Sequence, residues 1–149
     1  MRIPEISIDV LAAAHRSDST LAGADVKTVR AAELRYRKFL AICAKYPDAT
    51  LTPARDIDQV WHLHMLQPRA YVADCNRIFG SILDHDGGFG KDSEQQYNDL
   101  LDAFSETAKL WDREYAEPYV NDGLASVTKC VKACRVACKK KIGESLAAA

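Results

Sequence analysis

No apolar run in the 149 residues approaches the roughly 20 that a membrane-spanning helix requires. There is no glycine-rich phosphate loop, no GxSxG elbow and no HExxH helix. Phosphate-loop nucleotide hydrolysis, α/β-hydrolase chemistry and zincin-type proteolysis therefore have no support in the chain. Strict two-residue alternation bounded by turn residues is also missing, which argues against sheet. Met1-Arg2-Ile3-Pro4-Glu5 places a proline and an acid where a secretory leader has an unbroken apolar stretch, so a cytoplasmic setting is expected. Five cysteines, an odd number, speak against a disulfide framework in that setting.

What remains is an ordinary globular composition, 48% hydrophobic and 28% charged with a net charge of −1. At 16.5 kDa, one core can bury roughly 70% of the unfolded surface, so residues 1–124 are read as one helical domain. Residues 125–149 are read as a basic, cysteine-containing helix or tail. Six basic residues against one acid give the stretch from Ser126 onward a charge of +5, and the rest of the chain carries −6.

Helical periodicity dominates, and the expected class is all-α, a compact bundle of about five helices. Ser7 is a candidate cap for a short helix to His15. Asp25 caps a long helix to about Tyr46, with Val29, Ala32, Tyr36, Phe39, Leu40 and Cys43 at core spacing. Thr52-Pro53 reads as cap and first-turn proline for a central helix from Ala54 to about Leu66. Pro68 bends or restarts it, and the continuation to Phe79, with Tyr71, Cys75 and Ile78 on one face, closes at Gly80. The segment from Asp84 to Gly90 has three glycines in its last four positions and must be a loop. Ser93 to Gln96 has the form of a capping box, opening an amphipathic helix to Tyr115.

The densest chemistry lies in Asp58-Gln-Val-Trp61-His62-Leu-His64. At about 100° per residue, Asp58 and His62 are neighbours at the margin of the apolar arc, whereas His64 lies roughly 160° from His62, toward the core. Asp58 and His62 can therefore share a metal or form a carboxylate–imidazole pair, completed by His85 or Asp86 from the glycine loop. Two helical ligands and one loop ligand, with a position left for water, suit a divalent transition metal such as zinc or iron. The competing reading is a surface pair worth a few tenths of a kcal/mol. For His64 to join His62 on one metal, the helix would have to break near Leu63. Otherwise His64 is a core histidine that needs a partner, since burying it alone costs about 1–3 kcal/mol. Tyr71 and Cys75 are its expected neighbours.

Asp58-x-x-Trp61-His62-x-His64, Pro68, Tyr71, Cys75, Phe79-Gly80, His85-Asp86-x-Gly88-x-Gly90 and Thr107-x-x-x-Trp111 together resemble the glycine-rich domain-containing protein-like family of plants and bacteria. The likeness runs from about Asp25 to Tyr119. It implies that Asp58, Trp61, His62, His64, Tyr71, Cys75, Gly80 and His85 are motif positions. It implies no defined reaction; plant members are associated with development and stress responses. Relatives often end in a glycine- and cysteine-rich tail, and here the chain departs from the pattern.

The tail instead carries Cys130, Cys134 and Cys138 at four-residue spacing among lysines. On a helix these thiols form a drifting stripe, spaced too widely for a good disulfide. A soft-metal site, a redox-sensitive patch and S-acylation beside a polybasic run are the chemical options. The plain alternative is the small apolar face of a last helix, joined by Val127, Val131 and Ile142. A basic stretch this short without interleaved aromatics argues against nucleic acid. A small molecule, a protein, or a membrane surface met through the tail are the partners left open. The expected activity is a metal-dependent enzyme with Asp58, His62 and His85 at its centre, against a non-catalytic interaction module whose histidines are structural.

Overall fold

Helices begin where something satisfies their first free amides, and three of the starts here rest on one side chain each. In the computed structural model, which describes residues 1–87, 90 and 92–120, Asp9 Oδ1 accepts from Ala12 N at 3.1 Å to open α1, Val10–His15. Asp25 Oδ1 accepts from Thr28 N at 2.7 Å to open α2, Val26–Lys45. Ser93 Oγ accepts from Gln96 N at 3.1 Å to open α5, Glu94–Tyr115. Between them, α3 spans Arg55–Met65 and α4 spans Pro68–Phe79, with Pro68 in its first turn and Gly80 as a left-handed cap at φ +73°. Among the described residues there is no strand beyond single bridge positions at Leu51 and Asp86, so the class is all-α.

Three expected starts resolve differently. Ser7 does not cap α1, because its amide and hydroxyl both donate to Asp74, each at 2.6 Å. Thr52 does not cap α3. Its backbone N–H donates to Thr107 Oγ1 at 2.9 Å and its carbonyl accepts from Tyr119 Oη at 2.8 Å, which holds the strand-like approach extended until Ala54. Half of the capping box at α5 forms, but the Gln96 side chain reaches the Gly90 amide instead of returning to Ser93. In the first two cases a partner distant in sequence outcompeted the local one.

The seam between α2 and α3 is the centre of the molecule. α1 packs on both helices, α4 covers them from another side and α5 leans on α2. Trp61 and Trp111 are fully buried beside Tyr36, Phe39, Leu40 and Ile42. The Arg35 guanidinium lies 5.0 Å from the Trp111 ring centre and donates to the Tyr119 carbonyl at 2.7 Å, fastening the segment after α5 to α2. Cys43 and Cys75 are buried free thiols, as the periodicity led one to expect, and burial raises the Cys75 pKa. The basic tail, with Cys130, Cys134 and Cys138, lies outside the described residues.

Candidate metal centre

α3 is regular from Arg55 to Met65, so Asp58 and His62 share one side of it and His64 the other. That side of Asp58 would face water on an isolated helix. In the fold it is only 4% exposed, because His85 closes over it.

His85 arrives there by a chain of local causes. Gly80 takes the left-handed conformation that ends α4 and reverses the backbone. Leu83 then buries, and its carbonyl accepts a short hydrogen bond from Tyr71 Oη, which itself accepts from Trp61 Nε1 at 3.0 Å. Two residues on, the His85 ring meets the edge of Trp61 at a centroid distance of 4.5 Å and an angle of 77°. Its Nε2 donates to Asp58 Oδ1 at 2.9 Å. The Trp61–Tyr71–Leu83 relay thus positions the loop, as outer groups commonly orient a metal ligand.

His62 Nε2 lies 3.6 Å from the same Asp58 oxygen, and its ring stands 4.8 Å from that of His85 at 71°. The donor atoms of Asp58, His62 and His85 all lie within 4.8 Å of one another. Tetrahedral bonds of about 2.0–2.1 Å separate ligand atoms by about 3.3 Å. The two separations to Asp58, 2.9 and 3.6 Å, bracket that value, whereas the trio as a whole spans up to 4.8 Å, so the two imidazoles must draw together for both to reach one ion. Burial is uneven: the side chains of Asp58 and His85 are 6% and 5% exposed, and that of His62 is 51% exposed. The exposed imidazole lines an open cleft of about 770 Å³ between α3 and the turn after α1. Asp86, the other loop residue considered, is exposed and outside the trio.

His64, counted among the candidate metal ligands, belongs to a different set. Its side chain is 1% exposed, with Nδ1 3.0 Å from Tyr36 Oη and Nε2 3.2 Å from Asp74 Oδ2, at an angle too oblique for a straight hydrogen bond. With its proton on the nitrogen facing Asp74, His64 accepts from the Tyr36 hydroxyl. Burial lowers its pKa, outweighing the pull of Asp74. Burial opposes the ionisation of Asp74 too, but hydrogen bonds from Ser7 and Arg77 prevail and its pKa falls. Tyr71 does touch His64, edge-on at 5.1 Å, as the spacing suggested. Asp74 and Tyr36, the polar partners, escaped the sequence reading. An acid on the Tyr71–Cys75 stripe of α4 was the available signal.

A family model described as glycine-rich domain-containing protein-like matches residues 24–74. That span takes in Tyr36, Asp58, His62, His64 and Asp74 and stops short of His85. Two proteins of Arabidopsis thaliana are similar. Glycine-rich domain-containing protein 2 is 31% identical over 130 residues, covering 77% of this chain and 16% of its own length. Glycine-rich domain-containing protein 1 is 31% identical over 94 residues, covering 60% of this chain and 11% of its own length. The chain therefore spans less than a fifth of either relative. No solved structure matches it.

Proposed function

Residues 24–74 belong to the glycine-rich domain-containing protein-like family, and on that premise we propose that this domain is a metal site, binding a divalent transition metal, zinc or iron, through Asp58, His62 and His85. One observation carries the reading: two buried donors and one exposed donor converge to within 4.8 Å, with the exposed one on an open cleft. One carboxylate and two imidazoles are a ligand set used by catalytic zinc and by non-haem iron. Such a centre retains a charge of +1 and free positions toward the cleft, where it can polarise a carbonyl or activate water. The reading is that of a metal-dependent enzyme in a reducing, cytoplasmic setting, consistent with the buried free thiols.

A second reading has its own support. The 2.9 Å hydrogen bond between His85 and Asp58, with the His85 ring edge-on to Trp61, holds the loop without any ion. On that reading the domain is a non-catalytic interaction module. Metal analysis separates the two. Protein purified without a histidine tag is expected to carry about one equivalent of zinc or iron, and His62→Ala, with half of its side chain in solvent, is expected to stay folded and lose it. If His64→Ala unfolds the domain while His62→Ala changes neither metal content nor stability, the structural reading prevails.

A further inference from the structure

The cleft beside His62 has a chemistry of its own. Its volume of about 770 Å³ falls in the range of small-ligand sites, about 300–1,000 Å³. Ala13, Leu63 and Leu66 line it with apolar surface, and Leu66 is 75% exposed. Arg16 lines it too, and its guanidinium has no ion pair or hydrogen bond among the described residues.

We propose that the cleft binds a small organic carboxylate, with Arg16 gripping its carboxyl group and the apolar wall receiving its carbon chain. The proposal deepens the metal reading, on which the chemistry at His62 rests. The charges choose among anions. Arg16 and a metal at Asp58 would each supply one positive charge, against the single negative charge of Asp18 in the same lining. The cleft also lies at the C-terminal ends of α1 and α3, with Arg16 and Leu66 as their caps. Helix C-termini carry partial negative charge, and the two in the lining outnumber its one N-terminus, that of α4 at Gln67, a balance that weighs more against a dianion than against a monoanion. The planar guanidinium fork fits carboxylate and phosphate alike, so it is the charge balance that favours a carboxylate monoanion over a phosphate dianion.

The test is a titration of the full chain with hexanoate, hexanamide and hexyl phosphate, followed by amide NMR shifts with and without zinc. Hexanoate is expected to shift signals around Ser17, Ser19, Gln59 and Gln67, and hexanamide is not. Arg16→Gln is expected to weaken hexanoate binding about tenfold or more, and Arg16→Lys, which keeps charge but loses the fork, by less. If Arg16→Gln does not fold, the Arg16→Lys comparison decides by the same criterion. Equal binding by wild type and variant, equal binding of the amide, or tighter binding of hexyl phosphate overturns the proposal. Arg16-dependent binding of hexanoate by protein that takes up no zinc sustains the carboxylate subsite and defeats the metal reading. Zinc uptake with Arg16-independent hexanoate binding does the reverse.

Discussion

Burying a carboxylate is costly unless donors replace its water, and Asp58 and Asp74 meet that demand in different ways. Asp58 has an imidazole from a loop and another at its edge. Asp74 is held by the Ser7 amide and hydroxyl, Arg77 and the underside of His64, a set with no opening to solvent at His64. The consequence is a pH dependence of stability. Both His64 and Asp74 have lowered pKa values in the fold, so the unfolded chain binds more protons as pH falls. Acid therefore destabilises, through His64 once pH drops below its ordinary 6.5 and through Asp74 below 3.8. The Tm of metal-free protein is expected to fall between pH about 7.5 and about 5, and His64→Gln, which keeps a hydrogen-bonding group without titrating, to flatten that slope. An unchanged slope in a folded His64→Gln variant contradicts the assignment.

At the scale of elements, the bend after α4 decides whether His85 reaches α3. Gly80 adopts φ +73°, and an added Cβ would meet nothing within 4 Å. The cost of a side chain there is backbone strain alone. Gly80→Ala is expected to destabilise by about 1–2 kcal/mol, read as a lower urea midpoint with the same m-value. This stop, and the caps at Asp25 and Ser93, were legible because their partners lie within a few residues. Ser7 and Thr52 carry the same local signature but bond to groups 67 and 55 residues away. Nothing in a short window announces such competition.

For the molecule as a whole, Tyr119 ties the last described segment to the entrance of α3. Its hydroxyl accepts from Ala54 N and donates to Thr52 O, both at 2.8 Å, and the residue is 3% exposed. Tyr119→Phe leaves two buried backbone groups short of a partner and is expected to cost about 1–3 kcal/mol, measured by urea unfolding. Because this strap and the Thr52–Thr107 bond both end at the start of α3, loss of either is felt along the helix that carries Asp58. Wild-type stability in Tyr119→Phe argues against the strap.

The Asp58–His62–His64 feature separates what each level of structure decides. Helical period alone set Asp58 beside His62 and turned His64 away, since 100° per residue is a property of the backbone. It likewise placed Tyr36, Trp61, Tyr71 and Cys75 inward. The burial of Asp58 by His85, the Asp74 beneath His64 and the Arg16 at the mouth of the cleft came only with the tertiary structure. Periodicity describes one element at a time, whereas these contacts depend on how loops close and which helix faces which, and that is settled by packing the whole core.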